Sequence, residues 1–437
     1  MSEEKKDDLH LYQQFTSVGT TTGESSLTDQ IKRYKPRTFR EPESSLKQDK
    51  GANPCDEALT LKCIKVIVAN FLERPAHSAI PANHMREITS RLPIDLDPSI
   101  TAVYVHDENY WKRVCLQSLG LSKCQIIQHG LTWKQLFFEY HLQDRLENFG
   151  VAEEENFDEL IEEIKKYQDY IFSLGFQQLP SHIDIDRVCE VLPNLTKMDI
   201  QYGVKKIGMK YDRMLFGMKI SDASSLAKSV KSSLNLTSIT FSSNLIDDDL
   251  LRMLMTGLYK SVSVTHLDVS HNKITNHGVR LLAKLLGSKS VLTSLNIADN
   301  QIHAEGGRYL GMALRTNDSL SDLNMRLNRL TDEGGRMLFE GLRDNESLTR
   351  LNISSNSLGS ESTTALSVVL REPENSLCIL DLSSNALNDN DVVVLSATLE
   401  KNSKIVSLDM RANNYEDEEK LNAINAIVHR NELAARS

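Results

Sequence analysis

Three histidines, His266, His271 and His277, lie close together and are the first place to look for metal chemistry. A closed zinc site needs about four nitrogen, sulfur or carboxylate ligands held around one point. No cysteine or carboxylate constellation completes a set near these histidines, so they read as surface residues. The six cysteines, Cys55, Cys63, Cys115, Cys124, Cys189 and Cys378, are scattered without a CxxC pair. They read as reduced thiols of a cytosolic chain. Gly306-Gly307 and Gly334-Gly335 invite a nucleotide reading, but a phosphate cradle needs a G-x-x-x-x-G-K-[ST] loop, which is absent. G-x-S-x-G and H-E-x-x-H are absent too. Both glycine pairs fall at one phase of a repeat, so a tight turn before a helix explains them. No nucleophile and base converge. The expectation is a protein that is not an enzyme and has no cofactor, metal or small-molecule substrate.

The elements that position these residues are set by that repeat. The string LDVSHNKI, Leu267 to Ile274, recurs down the C-terminal half. Aligned on its asparagine it marks Asn244, Asn272, Asn300, Asn328, Asn356, Asn385 and Asn413, at steps of 28 or 29 residues. Apolar residues stand eight, five and three places before each asparagine, as Leu292, Leu295 and Ile297 do before Asn300. Ten and fourteen places after it come others, such as Leu310 and Leu314, with a mostly small column between that includes Gly257, Ala313 and Gly341. Spacing of three and four is a helix face, and small residues let neighbouring helices approach closely.

Each unit therefore reads as strand, turn and helix, the leucine-rich-repeat pattern LxxLxLxxN, in the length class of ribonuclease inhibitor. The fold class expected is an α/β solenoid, parallel strands inside and helices outside, preceded by a mostly helical domain. One unit cannot bury its own apolar side, whereas a stack of seven makes a continuous core. The asparagine sits where the chain turns off the strand, and its amide can bond backbone groups that no ladder satisfies. The concave face such a solenoid offers to partners carries Thr240, Asp268, Asn296, Asn324, Asn352, Asp381 and Asp409 in one column. Two residues on run Ser242, Ser270, Ala298, Arg326, Ser354, Ser383 and Arg411, with His266 beside them.

Upstream the pattern decays. Leu195, Met198 and Ile200 hold strand positions, but Gly203 stands where asparagine is expected. Residues 181–235 read as a divergent first repeat with an insertion, capping 236–437, and Glu416 to Arg430 as a C-terminal cap helix. Residues 56–180 read as a helical domain. Leu59, Cys63, Ile67 and Phe71 stripe one helix of it; Trp133, Leu136, Phe137, Phe138 and Tyr140 belong to another, and Phe157, Leu160, Ile161, Ile164 and Ile171 to a third. Residues 1–55, rich in polar types, read as a flexible tail in which Phe15, Tyr34 and Phe39 could dock on a partner. The chain has 437 residues, 40% apolar and 25% charged, and a net charge of −10, which disfavours coating nucleic acid. MSEEKKDD has no secretory core, and the densest apolar stretch, Cys63 to Leu72, is broken by Lys65, so membrane insertion is not expected.

Three segments narrow the solenoid further: DENYWKRVC (Asp107 to Cys115), TWKQLFFEYHL (Thr132 to Leu142) and DIQYGVKKIGMKYDRMLFGMKISDASSLAKSVK (Asp199 to Lys231). In this order ahead of the repeats, over roughly residues 90 to 435, the chain resembles the dynein regulatory complex subunit 5 family. The resemblance implies a non-enzymatic scaffold of the nexin link in cilia and flagella, within the axonemal cytoskeleton of the cytoplasm. Its partners would be other subunits of that complex and the doublet microtubule assembly, and its action the regulation of dynein-driven sliding. Trp111 and Trp133, inside the family-like segments, are then candidate contacts together with His266, Asp268, Arg326, Asp381, Asp409 and Arg411. A rival resemblance starts at LPIDL, Leu92 to Leu96, followed by YWKRVC. It looks like an F-box, and would imply a substrate adaptor of a cullin ubiquitin ligase. Pro98 and the β-branched residues after it argue against the second helix such a module needs. A Ran-type GTPase activator shares the repeat class but carries a longer array and a strongly acidic tail, whereas this chain ends ELAARS.

Overall fold

The computed structural model describes residues 54–75, 80–120, 123–124, 132–149, 156–180, 183–204, 215–287, 289–416 and 418–436. Nearly all of the polar tail, with Phe15, Tyr34 and Phe39, lies outside the described residues, as do 205–214 of the YGVKKIGM stretch. Met1–Cys63 forms one unit and Ile64–Ser437 another. Helix α1, Pro54–Ala69, crosses that boundary. Ile64 and Phe71 are buried, while Leu59 and Cys63 are exposed, so the buried stripe is rotated from the one the spacing suggested.

The helices that follow are α2 (Ala82–Arg91), α3 (Pro98–Tyr104), α4 (Glu108–Ser118), α5 (Trp133–Glu147) and α6 (Phe157–Lys165). Helix α3 corrects the reading that Pro98 spoils this stretch. Proline is at ease in the first turn, where its missing N–H would have no partner anyway. The Asp97 carboxylate then caps the turn by accepting from the Ser99 N–H at 2.8 Å. Thr132 and Gln135 form a reciprocal capping box at the start of α5. Leu136, Phe137, Phe138, Leu142 and Leu146 of α5 are all buried, the broad apolar surface expected of it. Ile171 is buried too, but beyond the end of α6.

Among the described residues the sheet has nine parallel strands in sequence order. They are β1 (Ser173–Leu179), β2 (Lys197–Tyr202), β3 (Ser238–Thr240), β4 (His266–Asp268), β5 (Ser294–Asn296), β6 (Asp322–Asn324), β7 (Arg350–Asn352), β8 (Ile379–Asp381) and β9 (Ser407–Asp409). Strand β1 thus falls within 56–180, the stretch read as helical. It joins because Leu174, Phe176 and Leu179 are buried on the core side, with Leu174 opposite Met198 and Phe176 opposite Ile200. The Glu139 carboxylate on α5 fixes its start, accepting from the Phe172 and Ser173 N–H groups at 3.0 and 2.8 Å. The register then runs Met198, Ile239, Leu267, Leu295, Leu323, Leu351, Leu380, Leu408 across the remaining strands. Fully burying one such leucine contributes about 1.5–3 kcal/mol, but only the stacked array can bury them.

The helices behind the sheet are α7 (Ile185–Glu190), α8 (Ile220–Ser232), α9 (Asp248–Leu258), α10 (Asn276–Leu285), α11 (Ala304–Leu314), α12 (Thr331–Leu342), α13 (Ser360–Val369), α14 (Asp389–Leu399) and α15 (Glu418–Arg436). The paired glycines are not in turns. Gly306-Gly307 and Gly334-Gly335 lie in the first turns of α11 and α12 and are buried. A Cβ on Gly307 would run into the Gly334 carbonyl, and one on Gly334 would lie 2.7 Å from the Ala304 Cα. Gly341 and Gly311 meet in the same way further along the two helices. Close helix approach, not backbone torsion, is what these glycines serve. Helix α15 packs behind β9 as the last described helix. Ile424 and Asn431 are buried, and the Asn431 amide donates to the Asn402 and Ile405 carbonyls at 2.9 and 3.0 Å.

Candidate partner-binding surface

The corner after each strand decides what faces outward. The residue before each repeat asparagine, Ser243, His271, Asp299, Leu327, Ser355, Ser384 or Ala412, has φ between 49° and 58°. That left-handed conformation costs an L-residue roughly 1–2 kcal/mol, so something must hold it. The asparagine does. Asn272 accepts the Asn244 and Ile246 N–H groups of the preceding coil at 3.0 and 2.9 Å. Its amide donates to the carbonyls of Phe241, Val269 and Ser270 at 2.9 to 3.0 Å. Asn300, Asn328, Asn356 and Asn385 repeat this arrangement with small variations, and all are buried. Asn413 makes the same bonds while partly exposed. Asn244 closes the ladder on β2, accepting from the Tyr202 N–H at 2.7 Å, which is how the coil with Gly203 manages without its own asparagine.

With the corners pinned, the first and third residues of β3 to β8 are at least partly exposed around a buried middle residue. Asp268 accepts from the Ser270 N–H and hydroxyl and from the Asn296 amide, the last at 2.7 Å. Asp381 is held the same way by Ser383 and by the Asn352 amide at 3.0 Å. Arg350 pairs with Asp322 at 2.8 Å. Arg411 grips Asp409 through both Nε and Nη2, and these bonds hold the Asp409 carboxyl below its usual range. Arg411 and Asp409 therefore largely neutralise each other. Arg326 is exposed and makes no ion pair among the described residues. His266 is exposed at the edge of β4, 2.8 Å from the Thr265 hydroxyl. His271 lies 2.7 Å from Asp299, and the three histidines converge on no metal-binding cluster among the described residues.

The sheet face runs on into a groove of about 990 Å³ against the helical region. Ile94, Leu96, Phe137 and Tyr140 line one side, with Asp199, Gln201 and Ser242 of the sheet opposite. His141 also lines the groove; His141 and Arg145 both reach Glu163 at 3.3 Å, and the His141 bond in particular lowers the Glu163 carboxyl.

Trp111 does not line this surface. It is 1% exposed, its indole N–H donates to the Val105 carbonyl at 3.0 Å, and its ring packs on Phe137 and Phe138. Lys134 lies beneath it, donating to the carbonyls of Ala102 and Val105 and to the Tyr170 hydroxyl. Burial brings that ammonium down to about 8. The family-like aromatic Trp111 is a core anchor, and a partner cannot touch it in this fold. Trp133 is half-buried at the start of α5, with Lys112 5.8 Å from its ring. Cys115 and Cys189 are buried and free, their thiols pushed up to about 12 by burial, which makes them poor nucleophiles. No helix among the described residues is long and apolar enough to cross a membrane.

A family model described as Leucine Rich repeat matches residues 260–283, 288–311, 316–339 and 344–367. The array is built of leucine-rich repeats. The chain is also similar to curated proteins named Dynein regulatory complex subunit 5. The protein from Chlamydomonas reinhardtii is 36% identical over 196 residues, 44% of this chain and 48% of its own. Those from Mus musculus and Homo sapiens are each 30% identical over 227 residues, 46% of this chain and 45% of theirs. The chain thus spans about half the length of the curated relatives it matches.

Two sets of structural residues escape a reading built on the first asparagine column. In the helix-to-strand loops, Asn317, Asn345 and Asn402 accept N–H groups two and three residues on. Their amides donate to the carbonyls of Leu286, Leu314 and Leu370 in the preceding coil. The recurring N-x-S-L of 317–320 and 345–348 is the signal that marks them. At the other end, Asp248 and Asn276 cap the next coil's helix. The Asp248 carboxylate accepts from the Thr275 and Gly278 N–H groups, and the Asn276 carbonyl from those of His303 and Gly306. Asp332 does the same for Gly359, Glu361 and Ser362; burial alone would raise its carboxyl, but these donors hold it low.

Proposed function

We propose that this chain is a non-enzymatic scaffold subunit of the dynein regulatory complex in the axoneme of motile cilia or flagella. On this reading it joins neighbouring subunits and so helps restrain dynein-driven sliding. The single observation that carries the proposal is the 36% identity over 196 residues to the Chlamydomonas relative of that name. The geometry supports it with a long polar sheet face, pinned corner by corner, that continues into the groove beside α5. Such a face suits gripping a folded neighbour. Arg326, His266, Asp268 and Asp381 are the contacts proposed on the sheet, with Asp409 and Arg411 acting as one neutral pair, and Trp133 on the helical side.

Fractionation of ciliated cells expressing the tagged full chain tests this. Retention on axonemes after a salt wash is the expected result, and Arg326→Glu should be extracted at lower salt than the unaltered chain while remaining folded. Helix α3 supplies the one observation that favours the second reading, an F-box-type adaptor. Co-purification with a cullin scaffold, together with absence from axonemes, would replace the first reading with the second.

A further inference from the structure

The loop asparagines that close the helix-to-strand edge are missing from two consecutive coils. At the position of Asn317 and Asn345, the earlier coils carry Ser261 and Lys289. Ser261 imitates only the accepting half of the motif, taking the Ser263 and Val264 N–H groups at 3.4 Å each. Lys289 has no acceptor to offer and no amide to send back to the preceding coil. Between these two loops lies a cleft of about 320 Å³, lined by Leu258, Tyr259, Val264, Leu285, Val291 and Leu292, with Lys284 and Lys289 also on its wall.

Three features give the cleft a chemistry. Its base is apolar, and its mouth is too: Tyr259 is 45% exposed, Val291 41% and the adjacent Val262 73%. Tyr259 is fixed as a wall, because its hydroxyl donates to the Leu281 carbonyl of the next coil at 2.8 Å. The charged residues lining it are lysines, with no carboxylate among them, on a chain whose net charge is −10.

We propose that this cleft binds an acidic polypeptide segment of a partner protein, one that carries an apolar side chain among its carboxylates. The side chain enters against Tyr259 and Val291, and the carboxylates meet Lys284 and Lys289. Exposed lysine–carboxylate pairs are individually weak and screened by salt, so the interaction is modest and falls as ionic strength rises. The loop sequence that opens the cleft and the lysine that lines it are the same substitution, Lys289 for asparagine, which makes the site separable from the fold.

Fluorescence anisotropy with the full chain and a labelled peptide of six glutamates flanking a central Leu-Phe tests the proposal. The peptide should bind, and Lys284→Glu with Lys289→Glu should weaken it by about tenfold or more. Lys289→Asn, which restores the loop asparagine, should raise the melting temperature and yet weaken the peptide. Gly-Ser in place of Leu-Phe should also weaken binding. Several results would overturn the proposal: no binding at low salt, equal binding to the Lys289→Asn variant, or equal binding by a peptide with lysines in place of the glutamates. Single-stranded nucleic acid binding as well as the peptide, with the same sensitivity to both lysines, would show a bare cationic patch instead and equally sink it.

Discussion

At the scale of single residues, the repeat asparagines and one buried acid lend themselves to measurement. Asn328→Ala in the full chain should cost about 1–3 kcal/mol, because it strips the Ile302 N–H and the carbonyls of Ile297 and Met325 of a buried partner. Asn413 makes equivalent bonds in the last strand's corner, where water can substitute, so Asn413→Ala should cost less. Urea unfolding of the two variants checks this, and equal, negligible effects would mean the ladder does not hold the corners. Glu139 titrates. Burial pushes its carboxyl from 4.5 up to about 7, even though two N–H groups bond it. The folded chain therefore binds this proton more tightly than the unfolded chain does. Its contribution to stability is full below about pH 4.5 and is lost as pH rises through 7. Glu139→Gln keeps an acceptor for Phe172 and Ser173 without a charge. The urea midpoint of this variant should gain on the unaltered chain between pH 5 and pH 7.5; parallel profiles would contradict the assignment.

At the scale of elements, the solenoid helices are packed to the limit of their glycines. Gly341→Ala should destabilise by about 1–3 kcal/mol, since its Cβ collides with the Gly311 backbone, which cannot swing aside. Gly287→Ala, whose Cβ would make only an ordinary contact 3.4 Å from the Lys284 carbonyl, should be near neutral, and thermal melts of the pair give the comparison. The elements also show what was legible in the sequence. Seven coils announce themselves because the apolar columns and Asn300-type residues recur at a fixed period. Strand β1 does not, because SLGFQQL carries Gly175 in mid-strand and no asparagine after it. Helix α3 hides behind Pro98, whose effect reverses at a first turn. The burial of Trp111 is not legible, because an aromatic in a family-like segment says nothing of which side it faces. The loop asparagines form no visible column, because Ser261 and Lys289 interrupt them and Asn375 sits one place out of register.

At the scale of the molecule, each coil touches chiefly its neighbours, so opening should begin at the last coils and be slowest in the middle. Hydrogen exchange is expected to protect the Leu295, Leu323 and Leu351 amides longest and to expose α15 early. Uniform exchange along the array would contradict a nearest-neighbour solenoid. The full chain should also gain no thermal stability from GTP or ATP, since the glycine pairs that could suggest a phosphate site are filled by neighbouring helix backbone. A rise in melting temperature with either nucleotide would overturn that.

The asparagine ladder has a direction. Each side chain reaches back: Asn272 closes the corner at Asn244, Asn385 the corner at Asn356, and Asn413 the corner at Asn385. On a ribosome, then, the newest coil to emerge holds a corner whose N–H groups lack an acceptor until the next asparagine follows, 28 or 29 residues later. Growth is a ratchet in which every coil locks the one before it. The corner at Asn413 has no such asparagine reaching back to it among the described residues. There Tyr415 turns back instead, its hydroxyl donating to the Met410 carbonyl at 2.6 Å, and the ratchet is latched by a residue of a different kind.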